Sequence, residues 1–243
     1  MGLEMIINAY FEAQKIENAV RALQALPLHL RPDRISADEG DCGAAEARFA
    51  DRPKFAEFVA ANQAGFFLLA EDARYNVRLR PKNGYCNLSV DALQGKSANA
   101  DSVAILTTLA DAGSIFAFAA DRDEYLHRNR YARKLGASKF EAWVGRDLTR
   151  YLSGVYWLTV ISEEYKGFDQ FTLLTLEAKE VKLDSGHWFI KAFENPDDWP
   201  RHAERLDGWC AEQSIFFSKQ SIQHQLDEAA SLGVLMGLAG RWP

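Results

Sequence analysis

The chain has 243 residues, 48% of them hydrophobic and 26% charged, an ordinary globular composition with enough length for one large core or two small ones. No apolar run approaches the roughly 18 residues of a membrane span, and Cys42, Cys86 and Cys210 have neither disulfide-framework nor metal-ligand spacing. The net charge of −6 is unevenly spread: 7 basic and 12 acidic side chains over residues 1–72, 13 and 8 over 73–153, and 8 and 14 over 154–243. A basic middle between acidic ends bears on partners and association rates rather than on fold. Glu4 stands where a signal peptide would be basic, so a cytoplasmic protein is expected.

In chain order, residues 5–11 read as a first strand, and Ile16, Val20, Leu23 and Leu26 recur at helical spacing until Pro27. A loop follows with the acidic run Asp38-Glu39-Gly40-Asp41. Residues 44–62 predict a helix, broken near Pro53, and 65–70 a short buried strand. Residues 75–80 alternate with period two, and Asn83-Gly84 signals a hairpin that returns through 85–90. Val103, Leu106, Leu109 and Ala110 mark another helix, and 114–119 an apolar strand. Residues 121–135 predict a charged helix; 140–144 and 155–161 predict strands. Residues 171–181 fit either a helix or a two-sided strand, and helix is favoured because no turn residue interrupts them. Residues 187–193 form a strand pattern. Asn195-Pro196-Asp197-Asp198 begins a helix continued by Trp199, Ala203, Leu206 and Cys210, and Ser218 opens a last one. Irregular alternation with a hairpin predicts an α+β fold, with a mixed or antiparallel sheet packed against helices. The whole chain reads as a single domain, with a possible subdomain division near 95–102.

Patterns with catalytic potential are few. Asp169 followed by Glu177-Ala178-Lys179 has the acid, gap, acid-x-Lys order of metal-dependent nucleases. There carboxylates hold Mg²⁺ and the lysine assists the attacking water. That chemistry needs Glu177 and Lys179 on one face of a strand, whereas a helix sends them apart. A solvated helix face is the plainer reading. His187, flanked by Asp184 and Glu194, is a conceivable general base or a structural strand-edge histidine. Arg122, Arg128, Arg130, Arg133 and Lys134, interleaved with Tyr125 and Tyr131, could form a nucleic-acid-binding surface, although Asp121, Asp123 and Glu124 partly cancel it. A solvated helix is again the plainer reading.

The most distinctive segments are Trp143-Val144-Gly145-Arg146-Asp147, Tyr151-Leu152-Ser153-Gly154-Val155-Tyr156-Trp157-Leu158-Thr159, and Gly186-His187-Trp188-Phe189-Ile190-Lys191-Ala192-Phe193-Glu194-Asn195-Pro196. They resemble the C-terminal core of the immunity protein 52-like family of bacterial polymorphic toxin and type VI secretion systems. Leu26-Pro27 and Arg31-Pro32-Asp33 extend the likeness toward the N-terminus. Ser153 and Thr159 stand where the family pattern leads one to expect proline and asparagine. The resemblance implies an α+β cytosolic protein, not an enzyme and without a cofactor or metal, that binds and neutralises a cognate toxin of nuclease type. It implies no contact with membrane and none with nucleic acid directly. A nuclease presents cationic surface to its substrate, so acidic side chains are the expected contacts: Asp38, Glu39, Asp41, Glu163, Glu164, Asp197 and Asp198. Leu148, Val155, Trp157 and Val160 are expected in the core, with Arg146 and Asp147 paired across the turn.

Overall fold

Alternation in the first strand sets the plan of the molecule. In β1 (Met5–Phe11) every second side chain, Met5, Ile7, Ala9 and Phe11, is fully buried, while Ile6, Asn8 and Tyr10 are only half-buried. The computed structural model describes residues 4–37, 47–48, 51–82, 84–93, 98–135, 138–145, 147–165, 167–169, 173, 175–213, 215–229, 231 and 233–234. Its remaining strands are β2 (Arg34–Ser36), β3 (Ala47–Arg48), β4 (Phe66–Leu69), β5 (Arg74–Lys82), β6 (Tyr85–Leu93), β7 (Phe116–Asp121), β8 (Arg130–Leu135), β9 (Ser138–Trp143), β10 (Leu158–Ser162), β11 (Lys179–Lys182) and β12 (His187–Lys191). The helices are α1 (Ile16–Ala22), α2 (Arg52–Ala61), α3 (Ala98–Asp111), α4 (Arg122–Asn129), α5 (Trp199–Glu212) and α6 (Lys219–Glu228).

The fold is α+β. Ten strands form one sheet in the order β11-β12-β10-β7-β1-β6-β5-β4-β2-β3, and β8 pairs with β9 apart from it. Every ladder is antiparallel. Strands from both sides of 95–102 thus share one sheet, with β1 between β6 and β7.

One face of the sheet is closed by α1 and α3. Ile105, Leu106 and Leu109 of α3 and Ile16, Ala19 and Val20 of α1 are buried in the same cluster as Ile7, Ala9, Leu88, Val90, Ala117 and Ala119. Among the described residues, the opposite face is covered over only half its width. β7 and β10 are buried on both sides, as the burial of Leu158 through Ser162 shows. Their cover comes from α4, α5 and the segment around Tyr156, whose ring stacks on Phe118 at 3.9 Å. β1, β6 and β5 keep a half-open face. A smaller second core of Tyr131, Val144, Tyr151, Phe217, Ile222, Leu226 and Ala229 ties α6 to the β8–β9 hairpin.

Three segments depart from the sequence expectation. The helix expected over 44–62 is limited to α2, and Asp51 rather than an earlier residue caps it, accepting a hydrogen bond from the Lys54 amide at 3.3 Å. Pro53 lies in the first turn, where no helical bond is lost. The helix expected over 121–135 stops at Asn129, and Arg130–Leu135 continues as β8. Tyr131 and Arg133 point from that strand to the end of α6, where the Tyr131 hydroxyl (3.1 Å) and Arg133 Nη1 (2.9 Å) donate to the Leu226 carbonyl. Satisfying a buried helix end outweighs the helical propensity of this charged stretch. Over 175–181 the favoured helix is absent: Glu177 takes φ +51° and Lys179–Lys182 pairs with β12. Of the stripe Phe171, Leu174, Ala178 and Val181 that suggested a helix, Val181 is exposed and Ala178 only partly buried, while Phe171 and Leu174 lie outside the described residues; Leu173 and Leu176 are the side chains buried in the main core.

Gly65, just before β4, has φ +154°, and a Cβ there would lie 2.4 Å from the Val77 carbonyl oxygen. Gly65→Ala is therefore expected to lower stability by about 1–3 kcal/mol, read as an earlier urea midpoint. An unchanged midpoint would mean that β5 yields without cost.

Candidate functional site

The uncovered half of the sheet forms the floor of an open cavity of about 630 Å³. Alternation puts Asn8 and Tyr10 of β1, Asn87 and Ser89 of β6, and Asn76, Arg78 and Arg80 of β5 on that floor. Asn87 Nδ2 donates across strands to the Ala9 carbonyl (3.2 Å) and Asn8 Oδ1 (3.4 Å), which fixes the polar centre. One wall is α4, with Arg122, Tyr125 and Leu126. The hairpin supplies Arg130, Glu141 and Trp143. Asp121 starts α4 by accepting from the Asp123 amide at 2.9 Å. Tyr125 lies against Phe118 (5.7 Å) and Trp143 (5.4 Å), and Tyr10 stacks on Phe116 at 6.1 Å, so these rings stand as rigid walls.

The lining holds five cations, Arg78, Arg80, Lys82, Arg122 and Arg130, and two carboxylates, Glu4 and Glu141. Glu4 pairs with Arg122 at 2.8 Å and Glu141 with Arg130 at 2.6 Å. Arg130 Nε is buried without a partner. Arg78, Arg80 and Lys82 are exposed and make no ion pair among the described residues. The β5 end of the groove therefore carries uncompensated positive charge, although the chain as a whole is acidic.

Behind the α4 wall lies a buried ionic cluster. Arg128 and Glu124 share one face of α4 at i, i+4 with Nε to Oε1 at 3.3 Å, and Arg128 Nη1 also reaches Asp207 of α5. Both Glu124 and Arg128 are almost fully buried. Glu124 also accepts from the Trp157 amide at 3.3 Å, and His127 Nε2 meets Asp207 at 3.1 Å. Arg128 lies 5.8 Å from the Tyr156 ring centroid, and the Tyr156 hydroxyl donates to Asn129 Oδ1 at 2.5 Å. Burial raises the Glu124 carboxyl to about 7, against the opposing pull of Arg128 and the Trp157 amide. Burial acts upward on Asp207 too, but the His127 hydrogen bond and the Arg128 charge hold it below the ordinary carboxylate range. The cluster fastens α4 to α5 and to the 154–157 segment, and so fixes the groove wall.

The distinctive 143–159 segment is scaffold. Leu148, Val155, Trp157 and Val160 are core residues. Thr159 Oγ1 accepts from the Tyr156 amide at 2.9 Å, so its hydroxyl closes the turn into β10. Asp147 caps its own turn by accepting from Thr149, amide at 3.2 Å and hydroxyl at 2.5 Å; the expected pair with Arg146 lies outside the described residues.

The acidic contacts named from the sequence are scattered. Asp38, Glu39 and Asp41 lie outside the described residues. Glu163 is bound by Lys182 at 2.8 Å and Trp188 Nε1 at 3.0 Å, and Glu164 by Lys15 at 2.7 Å. Asp198 pairs with Arg201 at 3.2 Å, while Asp197 is exposed in the turn before α5. Of the four described ones, Glu163, Glu164, Asp197 and Asp198, none lines the groove. The nuclease-like trio is not assembled on one strand. Glu177 sits in a left-handed turn ahead of β11, Lys179 is in β11 and pairs with Glu194, and Asp169 is exposed in a separate loop. Among the described residues no three His, Cys, Asp or Glu side chains gather as a metal site. His187 is buried, with Nε2 held by the Ser114 carbonyl at 2.7 Å and Nδ1 against Ser185, an anchoring role rather than that of a general base. Of the basic segment, Arg122, Tyr125 and Arg130 line the groove, Arg128 is buried in the cluster, and Tyr131 and Arg133 hold the end of α6. The groove residues on β1, β5 and β6 were missed in the sequence. The available signal was the period-two run Asn76, Arg78, Arg80 facing away from Tyr75 and Val77. No family model matches the chain, and no curated protein matches it significantly.

Removing the cation of the cluster leaves the Glu124 and Asp207 carboxyl groups without their shared partner. Arg128→Met is expected to cost about 3–5 kcal/mol in urea unfolding, far more than Lys15→Met, whose pair with Glu164 is solvent-facing. Equal small losses would show that the cluster is not a clamp. Glu124 also predicts a pH signature. An acid raised in the native state keeps its proton after the unfolded chain has lost it, so its contribution makes stability fall as pH rises from about 4.5 to about 7. Glu124→Gln should remove that slope. A slope of the same size in the variant would contradict the assignment.

Proposed function

We propose that this chain is an immunity-type protein that binds and neutralises a cognate secreted toxin, of nuclease class, from a type VI or related secretion system, acting in the cytoplasm. The resemblance carried by Gly145–Thr159 and Gly186–Pro196 names the class. Those residues do structural work here, as expected of a scaffold that serves a binding surface and not a catalytic centre. The observation that carries the reading is the half-covered sheet. Antiparallel sheets commonly leave one face to solvent, and here that face is recessed and lined with arginine, tyrosine and tryptophan. These are the side chains that dominate binding energy at protein interfaces. Inhibition by occlusion requires an interface on the order of 1,200–2,000 Å², larger than the groove alone, so the surrounding surface takes part. No helix among the described residues is long and apolar enough to cross a membrane.

The test is co-expression in bacterial cells with the toxin encoded beside this gene. Rescue of growth, with co-purification of the pair at nanomolar affinity, about −12 kcal/mol, is the expected result. Growth arrest despite soluble expression of both proteins would sink the reading.

A further inference from the structure

We infer that the groove over β1, β5 and β6 is the docking site for an extended, acidic segment of the protein partner. Acidic patches were expected to do the binding, and the geometry points the other way. Three observations carry this. First, Arg78, Arg80 and Lys82 are exposed and have no carboxylate partner among the described residues, while the groove's own acids are taken up by Arg122 and Arg130. Arginine forks offer bidentate sites to carboxylates, and these are empty. Second, same-face residues on a strand are spaced roughly 6.8 Å apart. The β5–β6 ladder is irregular between Arg78 and Lys82, yet Arg78 and Arg80, two positions apart, both line the groove, so acids on an extended segment can meet them in turn. Third, Asn8, Asn76 and Asn87 give the floor amide donors and acceptors suited to a peptide backbone.

A nucleic acid fits less well. A polynucleotide follows a continuous cationic track with open aromatic platforms. Here Glu4 and Glu141 interrupt the positive charge beyond β5, and Tyr10, Tyr125 and Trp143 are engaged in ring contacts within the protein. The net charge of −6 repels a long polyanion but tolerates a short acidic segment.

The inference rests on the proposed function in one respect, that the partner is a protein, and the experiment separates the two. The full chain and its Arg78→Glu/Arg80→Glu variant are compared against three probes: the neighbouring-gene toxin, a synthetic peptide with glutamates at alternate positions flanked by a tyrosine, and an oligothymidine. Both substitutions are at exposed positions, and an unchanged thermal midpoint confirms that the variant folds. The expected result is a loss of at least ~30-fold in toxin affinity, with rescue lost in parallel. Glu163→Gln/Asp198→Asn keeps both. The peptide should bind weakly and salt-dependently to the wild type and not to the variant. If the toxin is neutralised equally by the charge-reversed protein, the groove inference fails while the function stands. If no toxin is bound but the peptide is bound and lost on reversal, the function fails while the groove's acidic preference stands. Oligothymidine binding without peptide binding overturns the inference.

Discussion

One buried guanidinium holds the far side of the sheet in place. Arg128 leaves water to meet Glu124 on its own helix and Asp207 on α5, with the Tyr156 ring beside it. Desolvating two carboxylates and a guanidinium is unfavourable by itself, and a hydrophobic packing of equal volume often does as well or better. What the ionic arrangement adds is direction. A guanidinium fork accepts carboxylates only in fixed positions, so α4 docks on α5 in one register. The Trp157 amide, by donating to Glu124, brings the 154–157 turn into the same register.

The open groove follows from that placement. α4 and Tyr156 cover β7 and β10, and the cover ends at Tyr125. Beyond it β1, β6 and β5 have apolar residues on the α1–α3 side and asparagine, serine, arginine and tyrosine on the other. A polar but recessed sheet face remains, walled by rings, and with its unpaired charge among the described residues concentrated on one strand. A concave surface with rigid walls loses little entropy on binding, which favours a groove over a mobile loop as the place where affinity is concentrated.

Elements with a single dominant pattern were legible in the sequence. β1 alternates cleanly, the Asn83-Gly84 dipeptide marks the β5–β6 hairpin, and Trp199, Ala203, Leu206 and Cys210 trace the inner stripe of α5. Where local propensity and tertiary demand conflict, the sequence misleads. Arg130–Leu135 looks helical because it is charged, yet it is a strand because Tyr131 and Arg133 satisfy the end of α6, some ninety residues away. Residues 175–181 carry no helix because Glu177 takes a left-handed conformation and Lys179–Lys182 pairs with β12, a tertiary demand no local spacing shows. The groove was illegible for a related reason. Its residues come from β1, β5, β6, α4 and the hairpin, which no local window joins, and the basic excess over 73–153 does not by itself say that Arg78, Arg80 and Lys82 line one groove.

The central claim is that the uncovered half of the sheet is the face that meets the partner. Hydroxyl-radical footprinting with and without the proposed toxin partner tests it most directly, because Tyr10, Tyr85 and Trp143 are half-buried, oxidisable groove residues. The account predicts protection of these three in the complex, with Trp188 at the far edge unchanged. Protection at Trp188 and its neighbours, with the groove rings oxidised as before, would contradict it.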